Sequence, residues 1–285
     1  MRLYKYMPYA RVDILQNRLI CFTKPMAFND PFDCSPHIYK SDELNPLGSR
    51  FYSLRTRPED IGNPRHREEI VDHVRRSLAV DPSYTLDSVM IIDPDTDDNH
   101  SAFVNGFRGA LEPALKQSVV VLSLTENQNS LLMWAHYAQN HEGFIVGFDS
   151  EHAFFKSTTK SPGKHKYLNR VTYSNDRPSG VFGALSEEKT YLTKSQEWDY
   201  EKEWRILEYV KNATKPVTDD KGPYHLFSFP TEAVVEVIMG VRASAETKEK
   251  IKGALADKET WPNVSLMQAT IDKRHYRLNY ESVPI

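Results

Sequence analysis

Cysteine is almost missing from this chain. Cys21 and Cys34 are the only two in 285 residues, too few for a disulfide framework and without the Cys-x-x-Cys spacing of a structural zinc site. Both stand near apolar or aromatic residues, which suits small buried thiols. Long hydrophobic runs are missing as well: no stretch approaches the roughly 20 apolar residues of a membrane span. The opening Met1-Arg2-Leu3-Tyr4-Lys5-Tyr6 has no apolar signal region. A cytoplasmic protein that does not engage membrane is expected. Nor is there an excess of either charge. A net charge of -3 and a pI of about 6.4 supply no global basic field for nucleic acid. Walker, Gly-x-Gly-x-x-Gly, Gly-x-Ser-x-Gly and His-Glu-x-x-His patterns are absent. His136 and His141 are five apart, a spacing that does not put two imidazoles on one helix face, so no metal centre is expected.

What remains is a chain 40% hydrophobic and 26% charged, long enough to bury a sizeable core as one domain spanning 1–285. Arg2 to Tyr6 and Leu19 to Phe22 read as strands around a short helix. Val119 to Leu124 is the clearest buried strand. A helix over Leu131–Asn140 and a strand over Phe144–Phe148 follow it. Further strands are expected at Tyr224–Phe229, Val234–Met239 and Val264–Ile271, with a helix over Ala243–Ala256 before the last and a terminal strand from His275 to Tyr280. Two apolar-striped helices between Arg67 and Lys116 predict a helical insert over about 41–117. The fold expected is α+β, a central mixed or antiparallel sheet with helices packed around it.

The stretch Trp198-Asp199-Tyr200-Glu201-Lys202-Glu203-Trp204-Arg205 mixes carboxylates, a guanidinium and aromatic rings. If extended, it puts Glu201, Glu203 and Arg205 on one face and Trp204 and Ile206 on the other. One reading is an edge strand whose outward charges pair and deter aggregation; the other is a site. Upstream, Phe28-Asn29-Asp30-Pro31-Phe32 is an ordered turn. Its Asn29 and Asp30 serve either as backbone caps or as ligand-binding groups. Trp134, Tyr137 and Ala138 share a helix neighbourhood. His141 falls where a helix dipole favours imidazolium, and Gly143 marks a helix stop.

Taken in order, Tyr4-Lys5-Tyr6, Phe28-Asn29-Asp30-Pro31-Phe32, Trp134-x-x-Tyr137-x-x-x-His141-x-Gly143 and Trp198-x-Tyr200-Glu201-x-Glu203-Trp204-Arg205 resemble the bacterial domain-of-unknown-function family 2971 over almost the whole chain. That family supplies no function. More distantly, the opening strand-helix-strand with its aromatic-basic-aromatic triplet resembles ADP-ribosyltransferase-like folds. This resemblance implies NAD as substrate, Glu203 as the catalytic carboxylate and Glu201, two positions earlier, orienting the acceptor. It also implies a first-strand residue that holds the NAD ribose or phosphates at Lys5, where the pattern has His or Arg, and Ser123 as candidate for the middle motif. Tyr4, Tyr6, Asn29, Asp30, Trp134, Tyr137, His141 and Arg205 complete the candidate binding set.

Three functions stay open on the sequence. The first is an NAD-dependent transferase or glycohydrolase, a toxin or phage-defence effector acting on a protein or nucleic-acid acceptor, with or without a partner protein. The second is a non-catalytic sensing or interaction module of a defence or stress system, in which Glu203 is closed in an ion pair with Arg205 or Lys5 and no cleft lies beside it. The third is a nucleic-acid-processing enzyme with a divalent ion on Asp30, Glu201 and Glu203.

Overall fold

The computed structural model describes residues 1–38, 118–156, 168–180, 186–219 and 222–285. The helical insert expected over 41–117 lies outside the described residues. In chain order the strands are β1 (Arg2–Met7), β2 (Leu19–Phe22), β3 (His37–Ile38), β4 (Val119–Thr125), β5 (Phe144–Asp149), β6 (Asn169–Arg170), β7 (Thr172–Ser174), β8 (Ser179–Gly180), β9 (Thr193–Ser195), β10 (Glu203–Tyr209), β11 (Lys215–Asp219), β12 (Gly222–Ser228), β13 (Val234–Met239), β14 (Ser265–Ile271) and β15 (Leu278–Val283). The described α-helices are α1 (Asp13–Asn17), α2 (Leu131–Tyr137), α3 (Glu187–Tyr191) and α4 (Ala245–Leu255).

Eight strands form the main sheet in the order β15-β14-β13-β5-β1-β4-β10-β6. It is mixed: β13 and β14 run parallel and the other pairs antiparallel. The class is therefore α+β. Side chains alternate between faces along each strand, and in the central strands both faces are covered. Leu3, Phe144, Val146, Val237 and Met239 join α4 through Ile251 and Leu255 in one core. Tyr4, Tyr6, Ile145 and Ile238 join α2 through Met133 and Trp134 in another. Each such fully buried aliphatic side chain is worth about 1.5–3 kcal/mol, and this double burial explains why the central strands read as nearly continuous apolar runs.

One ladder is interrupted. β1 pairs with β5 along its whole length but meets β4 at the single register pair Tyr4↔Thr125. Four residues further back along β4, Val121 exchanges both backbone hydrogen bonds with Thr23 instead, each 2.9 Å. Ser123 lies in the gap. Its carbonyl accepts from the Lys5 Nζ at 2.9 Å, so a side-chain ammonium takes the place of a ladder partner. The sheet opens here, and the cleft described below lies at that opening.

Several expected elements are shorter than the pattern suggested. The helix ends at Tyr137, because Gln139, Asn140 and His141 are all left-handed, with φ of 48, 52 and 70°. A Cβ on Gly143 would collide with the Met7 carbonyl, and one on Gly240 with that of His141. The two glycines thus let this turn dock against the ends of β1 and β13. The expected strand from His275 begins only at Leu278. Before it, the Asp272 carboxylate collects the amides of Arg274 and His275 into a turn.

Candidate active site

The candidate site grows from the start of β10. Residues Gln196–Glu201 form a 3-10 turn, and Lys202 is left-handed at φ 47°. Extended structure therefore begins at Glu203, not at Glu201. The local fold is held by hydrogen bonds to both sides. The Thr125 hydroxyl donates to the Glu201 carbonyl and accepts from the Asn127 amide. The Glu203 amide donates to the Tyr173 hydroxyl at 2.8 Å. This geometry corrects the extended-face expectation for Glu201, but it still brings both carboxylates to one place.

β10 is not an edge: β4 and β6 flank it. Its charged row points inward, with Arg205 wholly buried at 0% exposure and Glu203 at 4%. Of the two readings of this stretch, the edge strand with outward charges is thereby overturned. The physical reason is compensation, since a buried charge persists only when paired and hydrogen-bonded. Arg205 holds Glu203 through Nε to Oε1 (2.8 Å) and Nη2 to Oε2 (3.0 Å). The same guanidinium grips Asp33 through Nη1 (2.9 Å) and Nη2 (2.6 Å), donates to the Tyr191 carbonyl at 2.7 Å and stacks over the Phe28 ring.

Lys194 sits among three carboxylates. Its Nζ lies 2.6 Å from Glu201, 3.1 Å from Glu203 and 3.6 Å from Asp33, with the Trp198 ring beside it. The other oxygen of Glu201 accepts from the Tyr137 hydroxyl at 2.6 Å, and Asn29 Nδ2 reaches that hydroxyl at 3.5 Å. Burial alone would raise the Glu203 carboxyl, but Arg205 and Lys194 outweigh it and bring it down to about 2. Burial alone would lower Lys194, yet Glu203, Glu201 and Asp33 push it up. Lys5, buried and only partly offset by Glu203, is pushed down.

The sign of the stability change follows. A carboxyl held near 2 in the fold against an ordinary 4.5 stabilises the native state above pH 4.5, and that contribution disappears as pH falls toward 2. The amount is on the order of 3 kcal/mol. Thermal melts between pH 6 and pH 2 are expected to be level at first and to drop steeply below pH 4.5. Melts that stay level down to pH 3 would show that Glu203 is not held in this way.

Beside the network lies a cleft of about 540 Å³. Of the residues singled out in the sequence, Tyr4, Lys5, Tyr6, Asn29, Tyr137, Glu201 and Glu203 line it, as does Ser123. Tyr4 and Tyr6 are themselves buried, and their hydroxyls are tied to Glu236 and to the Asn127 carbonyl. The other four do not line it. Asp30 caps the Phe32 amide at 2.8 Å, which is turn chemistry. Trp134 is fully buried behind Tyr6, edge-on at 5.4 Å. His141 stacks on the far side of Trp134, and burial together with Arg242 pushes its imidazole down, against the dipole expectation. Arg205 stands behind Glu203 as a positioning residue. Asp30 is thus not gathered with Glu201 and Glu203, and an ammonium already occupies the space between the carboxylates.

Asp33, Lys194 and Tyr173 were not singled out in the sequence. Lys194 is the middle residue of the three-residue strand β9 and carries no local pattern. Asp33 closes the Phe28–Phe32 turn and could have been suspected as a partner for an inward Arg205.

Residues 133–206 match a family model described as Protein of unknown function (DUF2971). The match takes in the Trp134–Gly143 and Trp198–Arg205 signatures and leaves out Tyr4–Tyr6 and Phe28–Phe32. It covers much less than the nearly whole-chain resemblance read from the four signatures together, and it carries no support for the ADP-ribosyltransferase resemblance. No curated protein and no solved structure matches the chain. Among the described residues no helix is long and apolar enough to cross a membrane.

Proposed function

We propose that the cleft binds NAD and that the chain is an NAD-dependent transferase or NAD glycohydrolase. The observation that carries this reading is the position of Glu203. As the first residue of β10, it presents a carboxylate, ionised at neutral pH and rigidly held, to a cleft at the opening of the sheet, with Glu201 two positions earlier. A carboxyl near 2 is no general acid or base at neutral pH. It is suited to stabilising positive charge, and breaking the nicotinamide–ribose bond builds oxocarbenium character at the ribose. Phe28 and Tyr137, both half-buried, give the cleft an aromatic wall against which a flat ring can stack.

One observation favours a second reading, a nucleotide-sensing module without turnover. Arg205 and Lys194 already engage both oxygens of Glu203. Thermal shift separates the readings from a protein that binds no nucleotide at all. NAD at a hundredfold excess over its Kd is expected to raise Tm by about 5 °C, with nicotinamide released over time under the first reading and NAD recovered intact under the second. No shift with NAD at millimolar concentration would end both.

A further inference from the structure

A second cavity of about 700 Å³ adjoins the first. Lys5, Tyr6, Thr23 and Ala27 line both, so these four residues form the partition between them. The two cavities differ in charge. The cleft has Asp33, Glu201 and Glu203 in its lining together with Lys5 and Lys194, whereas the second cavity has Lys5, Arg11 and Lys24 and, among the described residues, no carboxylate. Asp13 pairs with Arg11 Nε at 3.0 Å but does not line the cavity. Apolar groups complete the wall, among them Phe22, Tyr224 and Met26, the last 63% exposed. Each cavity has the volume of an ordinary small-ligand pocket.

We propose that this second cavity is an anion subsite that takes the phosphate-bearing half of the ligand whose other half lies beside Glu203. The proposal rests on the NAD reading and deepens it. A ligand that spans the partition meets three carboxylates with Lys194 among them at one end and only lysine and arginine at the other, so its phosphate belongs at the second end and its uncharged or electron-poor ring at the first. A dinucleotide with a pyridinium ring and a diphosphate has that polarity. Lys5, on the partition, faces the junction of the two halves, and the apolar wall of the second cavity receives the remaining ring.

The test is a titration of the full chain with ADP-ribose, with inorganic pyrophosphate as competitor and nicotinamide as the phosphate-free control. Arg11→Glu and Lys24→Glu are each expected to weaken ADP-ribose by 10-fold or more, about 1.4 kcal/mol, and to leave nicotinamide unchanged. Lys24→Gln, which removes a charge without adding one, is expected to show a smaller loss in the same direction. Pyrophosphate is expected to compete with ADP-ribose on the wild type. If all three variants melt like the wild type and bind ADP-ribose as it does, or if the wild type binds no ADP-ribose, the subsite is wrong. ADP-ribose weakened by the variants while NAD is never consumed keeps the subsite and removes the transferase reading. NAD consumed with an unaltered KM by all variants does the reverse.

Discussion

Arg205→Met is expected to destabilise the protein by about 3–5 kcal/mol, the cost of leaving a buried partner charge uncompensated. Two carboxylates lose their principal cation at once, since Arg205 is hydrogen-bonded to both Glu203 and Asp33. Lys194 cannot replace it. That ammonium is 3.6 Å from Asp33 and is already committed to Glu201 at 2.6 Å. The loss is a large fraction of the roughly 5–15 kcal/mol by which domains are stable. Urea unfolding measures it, and the double variant Arg205→Met/Asp33→Asn is expected to recover part of the loss because it removes one orphaned charge. A single variant within about 1 kcal/mol of wild type would show that the network is open to water. The consequence reaches the cleft, because the Asp33–Arg205 pair fastens the turn that carries Ala27, Phe28 and Asn29 as one of its walls.

The second large effect is expected from Glu203→Gln. Loss of one preorganised group that stabilises transition-state charge typically lowers kcat by about 10²–10³, and a fall of at least that size in NAD turnover is expected here. The substitution also bears on folding, because Arg205 and Lys194 each lose a buried anionic partner. A stability cost of about 1–3 kcal/mol accompanies the substitution, so turnover must be expressed per folded molecule. Tyr137→Phe is the companion variant. It removes a 2.6 Å hydrogen bond to Glu201 but leaves Lys194 paired with that carboxylate, and its effect on turnover is expected to be smaller.

The central strands were legible because both faces of the sheet are buried. The Val119, Phe144 and Val234 runs have the continuous apolar pattern that only such burial produces, and the α+β class follows from them. β10 was harder to read. Its alternating charges look like an exposed face unless the partners are known, and Asp33 lies 172 positions away from Arg205 in sequence. Glu201 was expected in the same strand as Glu203, but a left-handed Lys202 separates them, and period-two spacing does not distinguish a strand from a turn over so few residues. Trp134 and His141 share a chemically suggestive pattern with Tyr137. The structure assigns the first two to packing and gives only Tyr137 to the cleft. Lys194 had no signal, since one lysine in a three-residue strand means nothing until three carboxylates surround it.

The most direct measurement is the release of free nicotinamide from NAD by the purified wild-type chain and by Glu203→Gln, each normalised to its folded fraction. The account predicts steady release by the wild type and a rate at least about 10²-fold lower for the variant, with NAD still bound. Release at equal rates by the two proteins, or none from a wild type that binds NAD, would contradict the catalytic role given to Glu203.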